Sequence, residues 1–147
     1  MAADLVTMTG NAAQAIIDPT EWDATLRGIR CALRPGGHLV FETRDPDDCA
    51  WREWNRAASY RITEIEGLGA VESWVELTDM RGPLVSFEWT WVFAADGAVL
   101  TSDSTLGFRE RDEVEADLFA HGYVVDDVRD APDRPRRELV FLAHRRA

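Results

Sequence analysis

The sequence predicts an α/β fold with an antiparallel β-meander set into its middle. Three observations carry this reading. Residues 4–44 show a strand–helix–strand pattern, the stretch from about 60 to 106 switches to period two, and 108–143 return to a helix followed by two strands. The 147 residues are read as a single domain, with 4–44 and 108–143 forming the α/β sheet and 45–107 the insertion.

The elements follow in order. Leu5-Val6-Thr7-Met8 is short and largely apolar, the pattern of a parallel strand covered on both faces. Thr9-Gly10-Asn11 is a turn signal. Asp18 suits a helix N-cap, Pro19 the first helical position, and Glu21 completes a D-x-x-E capping box. Trp22, Leu26, Ile29 and Leu33 then recur along one helical face. Arg34-Pro35-Gly36-Gly37 is expected to stop that helix, with Gly36 as its left-handed cap, and 38–43 to form the next strand. Strand, crossover helix and strand imply a parallel pair with a right-handed connection.

Asp45-Pro46-Asp47-Asp48 is a turn, and Trp51 and Trp54 follow at helical spacing. Strands are expected near 60–66, 70–78, 84–94 and 98–106, broken at Gly67 and Gly69, Arg81-Gly82-Pro83 and Ala95-Asp96-Gly97. Val85, Phe87, Trp89, Trp91 and Phe93 share one face of the third, a stripe read as core or dimer interface. A helix over 111–120 carries Val114 and Leu118 one turn apart, with Asp112, Glu113, Glu115 and Asp117 as a solvated face. Strands at 123–128 and 138–143, joined by the loop 130–137, complete the pattern.

Composition removes several function classes. A net charge of −11 argues against nucleic-acid and anionic-membrane partners, both of which need a basic face. All basic residues are Arg, which excludes a Schiff-base or phosphate-loop lysine. Cys31 and Cys49 form neither a disulfide framework nor a zinc spacing; a reduced, cytoplasmic protein is expected. His38, His121 and His144 are scattered, so neither a metal site nor a Ser-His-Asp arrangement is expected. The first residues do not read as a signal peptide, and no apolar run is long enough for a membrane span.

The order of the pieces is more informative than any one of them. A strand ending in Thr-Gly-Asn, a helix ending in Leu33-Arg34-Pro35-Gly36-Gly37, the strand His38-Leu39-Val40-Phe41-Glu42, then Phe108, an acidic helix, His121-Gly122-Tyr123 and two terminal strands resemble the second half of class I S-adenosylmethionine-dependent methyltransferases. The resemblance implies a partial Rossmann-like sheet of order 3-2-1-4-5-7-6, here strands 4, 5, 7 and 6, with strand 7 antiparallel and the meander as a substrate cap. It implies S-adenosylmethionine as cofactor and a small-molecule methyl acceptor. The family's glycine-rich G-x-G-x-x-G turn is absent from this sequence. The expectation is therefore a truncated chain, incomplete or inactive alone. The alternative is a non-catalytic remnant serving as a binding or dimerisation module. In the complete fold the first strand would be central; in this chain alone it is expected to be an edge inviting a second copy or a partner chain.

The same resemblance suggests site residues at two strand ends. Thr9, Gly10 and Gln14 are implied at the cofactor, with Gly10 admitting close backbone approach. Asn11 and Arg44 are implied at the substrate, Arg44 as a fork for a carboxylate. From the residues themselves, Trp51, Trp54 and Tyr60 are read as candidates for an aromatic lid beside the sulfonium and substrate. Each has a plainer reading: a simple turn at Gly10-Asn11, an ion pair of Arg44 with Glu42 or Asp45 or a solvent-facing Arg44, and packing beneath the meander for the aromatics. No catalytic residue is assigned.

Overall fold

The computed structural model describes residues 2–147. In chain order its elements are β1 (Ala3–Met8), α1 (Ala12–Ala15), α2 (Pro19–Ala32), β2 (Leu33–Arg44), two 3-10 turns (Pro46–Asp48 and Ala50–Glu53), α3 (Arg56–Ser59), β3 (Arg61–Ile65), β4 (Gly69–Arg81), β5 (Leu84–Phe93), β6 (Val99–Gly107), α4 (Arg111–Ala120), β7 (Tyr123–Asp130) and β8 (Glu138–Arg145). They divide into two compact units, one of residues up to Asp48 with Gly107–Ala147, the other Cys49–Leu106.

In the first unit one sheet runs in the order β1-β2-β8-β7. β1 and β2 are parallel, and β8 is antiparallel to both of its neighbours. The core lies on one side of β2 and β8. Phe41 and Phe141 face each other in register and stack with centroids 5.2 Å apart, and Trp22 meets Phe41 edge-on. Leu26, Leu33, Val114, Leu118 and Tyr123 close around them without exposed surface. Burial of each such side chain contributes about 1.5–3 kcal/mol.

Three local expectations are corrected. First, β1 is covered on one face only: Ala3, Val6 and Met8 pack on the core, while Leu5 and Thr7 are exposed. Second, α2 does not stop on a glycine. Leu33 is already extended, and β2 begins there. The Arg-Pro-Gly-Gly segment is instead a bulge, across which the pairing with β1 jumps from Ala3↔Leu33 to Leu5↔His38. Gly37 is needed because a Cβ there would lie 3.0 Å from Arg34 O and 3.1 Å from Ala3 O, both backbone atoms that cannot yield. Third, Asp18 caps α2 through the N–H of Thr20, while the reciprocal capping box forms on α4, between Glu110 and Glu113.

In the second unit β3-β4-β5-β6 form one sheet. The β4–β5 register sets Ser73 opposite Trp91, Val75 opposite Trp89 and Leu77 opposite Phe87. The aromatic stripe thus shares one face, but Phe87, Trp89, Trp91 and Phe93 stay half-exposed rather than closing a core. Trp89 and Trp91 stack at 5.8 Å.

Candidate functional site

The C-terminal ends of β1 and β2 lie side by side, because the parallel register carries Met8 to Phe41. The turn after β1 is sharp. Gly10 has φ +67, and Asn11 follows at φ 57, a left-handed conformation uncommon outside glycine. Both Thr9 and Gly10 are exposed, and a Cβ built on Gly10 would meet nothing within 4 Å, so the turn presents bare backbone.

Asn11 is only 6% exposed. Its side-chain amide donates to Glu138 Oε1 at 3.2 Å, and its backbone N–H reaches Glu42 Oε1 at 3.3 Å. Its carboxamide oxygen is buried without a donor. Gln14 is wholly enclosed: Oε1 accepts from the backbone N–H of Arg44 at 3.0 Å, and Nε2 donates to Gly107 O at 3.3 Å. It fastens the turn to the end of β2, and its amide offers a ligand no exposed surface.

Arg44 is half-buried at the end of β2, and Glu138, the first residue of β8, sits opposite it in register. Burial pushes the Arg44 guanidinium below its ordinary value; Glu138 opposes that shift, while Arg134 and Arg137 add to it. Glu138 is an acid whose charge favours the ionised Arg44, one not considered from the sequence. Glu138 also holds Arg134 in an ion pair at 2.9 Å.

A further arginine completes this end of the unit. Arg109 donates to Ala13 O at 3.1 Å and to Ile16 O, and its guanidinium lies 4.4 Å from the centroid of Trp22. It therefore holds the last carbonyls of α1. Trp22 is itself anchored by Asp117 at 2.8 Å, so the acidic face of α4 is only partly a solvated one. Sequence reading missed Glu138 and Arg109; Asn11 lies 127 positions from Glu138 and Ala13 lies 96 from Arg109, and only a correct strand order would have exposed these contacts.

The remaining sequence-chosen residues lie in the second unit. Trp51, Arg52, Trp54, Asn55, Glu76 and Leu77 line an open cleft of ≈ 390 Å³. Trp54 packs on Phe87 with centroids 4.5 Å apart. Tyr60 is outside that cleft lining. It stacks on Trp74 at 6.3 Å and donates to Glu72, a bond that raises the phenol's pKa. The guanidinium of Arg56 lies 4.0 Å from the centroid of Trp74.

A β1-β2-β8-β7 order with only β8 reversed, carrying a meander between β2 and α4, is the arrangement implied by the resemblance, and solved structures superpose on the chain. A structure from Clostridium acetobutylicum described as an S-adenosylmethionine-dependent methyltransferase superposes with a TM-score of 0.74 at 14% identity, covering 99% of this chain and 59% of that one. The chain has the class I S-adenosylmethionine-dependent methyltransferase fold. CalS10, an amino pentose methyltransferase from Micromonospora echinaspora solved with S-adenosylmethionine bound, gives 0.74 at 22% identity, with 99% and 59% covered. The sugar N-methyltransferase KedS8 from a Streptoalloteichus species gives 0.70 at 19%, with 99% and 57% covered. The chain thus spans less than two thirds of the methyltransferase structures it matches. No family model and no curated protein matches the sequence. Among the described residues no helix is long and apolar enough to cross a membrane.

Proposed function

We propose that this chain supplies the acceptor-side portion of an S-adenosylmethionine-dependent methyltransferase acting on a small molecule, and that donor binding needs sequence beyond the stretch matched here. The observation that carries the reading is the paired tips of β1 and β2, where Asn11, Gln14 and Arg44 converge. In open α/β sheets, ligands bind at the carboxyl ends of strands. The bare Thr9–Gly10 turn suits close approach by the donor's amino-acid end. The sulfonium brings its methyl group already activated, so the protein's task is to align it with the acceptor and exclude water.

Gln14, expected at the cofactor, becomes a positioning residue in this reading, since its amide binds backbone. Arg44 remains the candidate for an anionic part of the acceptor; within the second unit, Trp51 and Trp54 remain candidates for apolar contacts with a ligand of their own cleft. The relatives named for sugars support a small polar acceptor.

Calorimetric titration with S-adenosylmethionine tests the reading. The complete gene product should bind it, whereas the 147-residue chain alone should bind more weakly than about 1 mM. Micromolar binding by the chain alone would contradict the need for further sequence, and no binding by the complete product would remove the methyltransferase reading. In that complete product Arg44→Ala should raise the acceptor's KM about tenfold, the loss of one charge-assisted contact. An unchanged KM ends the clamp proposal.

A second reading, a non-catalytic binding or dimerisation module, has one observation in its favour: β1 is an edge of its sheet, and Leu5 is 55% exposed. It predicts a concentration-dependent dimer that Leu5→Lys abolishes, measured by light scattering.

A further inference from the structure

Among the described residues the most exposed large hydrophobic side chain is Phe119, at 66%. It stands on α4 one turn beyond Glu115, off the buried stripe of Val114 and Leu118. Its ring has one close neighbour. Arg146 is fixed just beyond β8 by the bond of its backbone N–H to Gly122 O at 3.0 Å, and its guanidinium lies 4.0 Å from the ring centroid. With Tyr123, Val124 and Val125 of β7, these residues line a pocket of ≈ 290 Å³ that lies wholly within the first unit. The walls are mainly apolar, and two charges stand in them. Glu115 is paired with Arg111 at 2.8 Å. Arg146 meets no carboxylate among the described residues, although the chain carries 27 acidic side chains against 16 basic ones. The uncommitted charge of the pocket is therefore positive. β7 is the last strand of its sheet, so of Val124 and Val125 one turns its N–H and C=O away from β8.

We propose that this pocket binds a small monocarboxylate with an apolar body, a single ring or a branched alkyl group. The guanidinium fork matches a planar carboxylate in two parallel bonds, and a carboxylate is the partner that Arg146 lacks. The outward main-chain N–H of β7 supplies a further donor. Phe119 and the two valines cover the ligand's body, whereas a wholly polar anion would leave that wall in water. The volume falls just below the roughly 300–1,000 Å³ of sites for drug-sized ligands, which sets the occupant at about one ring. The register His38↔His144 places the end of β8 beside the first half of β2. The pocket thus lies at the opposite end of the sheet from the tips of β1 and β2, and it is a second site that does not depend on the methyltransferase reading. A carboxylate held there ties together α4, β7 and the chain beyond β8.

3-Phenylpropionate and 3-phenylpropionamide are matched probes, alike except that the amide carries no charge; acetate carries the charge without the ring. Each is titrated at neutral pH into the 147-residue chain, and the NMR shifts of the backbone amides are followed. 3-Phenylpropionate should move the amides of Phe119, Val124, Val125 and Arg146 and half-saturate at about 1 mM. The amide should bind at least about fivefold more weakly for want of the charge-assisted contact, and acetate at least about tenfold for want of the apolar one. Arg146→Gln, which keeps a long side chain and removes the charge, should bring the acid and its amide within about twofold. Phe119→Ala should weaken both by at least about threefold and leave their ratio unchanged. Equal binding of acid and amide by the wild type, a preference that survives Arg146→Gln, or acetate binding as tightly as 3-phenylpropionate overturns the site. So do shifts that fall elsewhere or never saturate, and these wild-type outcomes decide the matter even where a variant does not fold. Binding of S-adenosylmethionine is measured separately, so failure of this site leaves the methyltransferase reading standing.

Discussion

The two units handle their large and polar side chains in opposite ways. The first encloses its core rings and aliphatic residues completely, with Phe41, Phe141, Tyr123, Leu26 and Leu118 at 0% exposure, and ties two buried polar side chains to backbone: Gln14 to Arg44 and Gly107, Tyr123 to Leu26. The second keeps Trp51, Trp54, Phe87, Trp89 and Trp91 half-exposed on a sheet face and around a cleft. The difference teaches a division of labour. A close-packed platform fixes strand tips in place, whereas half-covered aromatic surface can rearrange against a ligand at small cost to stability.

The sharpest way to break this comparison is to cut one ring from each unit. Phe41→Ala should destabilise the protein by about 3–5 kcal/mol, because the cavity beside Phe141 and Trp22 cannot collapse. Trp89→Ala should cost less than about half as much, since the ring already meets solvent. Urea denaturation of both variants checks this, and equal losses would show that the meander is as closed as the platform.

A smaller effect is expected at Gln14. Its replacement by Ala strands the Arg44 N–H and the Gly107 carbonyl, at a cost of about 2–3 kcal/mol. Hydrogen exchange at the Arg44 amide should accelerate before that of the β8 amides. Unchanged protection at Arg44 would mean the strand end is held by other contacts.

The smallest effect at neutral pH belongs to Tyr123, whose hydroxyl donates to Leu26 O at 2.8 Å; Tyr123→Phe should cost about 1 kcal/mol. Its consequence grows with alkali. Burial pushes the phenol up to about 12, while Arg30 and Arg145 pull the other way. An unfolded Tyr ionises near 10. As pH rises through that window the unfolded chain sheds the proton first, so stability is full below about 10 and falls toward 12. The phenylalanine variant should lose that slope in denaturant midpoints measured from pH 9 to 12.

Much of the fold was legible because alternation survives where one face is wetter than the other. The meander strands and α4 stand close to where periodicity puts them, and Val114 and Leu118 are buried as expected. The Arg-Pro-Gly-Gly stretch misled because the residues that cap a helix are also those that bulge a strand; only the proximity of Ala3 O to Gly37 separates the two. The site was harder to read. Gly10, Asn11 and Arg44 do sit at the strand tips, but Gln14 looks like any polar turn residue until its burial is known. Glu138 reads only as the first residue of the last strand, and its bond to Asn11 spans 127 positions that only the order β2-β8 brings together.

The stacked indoles of Trp89 and Trp91, 5.8 Å apart with planes inclined by 18°, have a spectroscopic consequence. Two identical chromophores this close share their excited states. Their ultraviolet transitions should split into a couplet of opposite sign, superimposed on the amide bands in circular dichroism. That couplet would report the integrity of β5 alone, while distorting any helix content taken from the same spectrum.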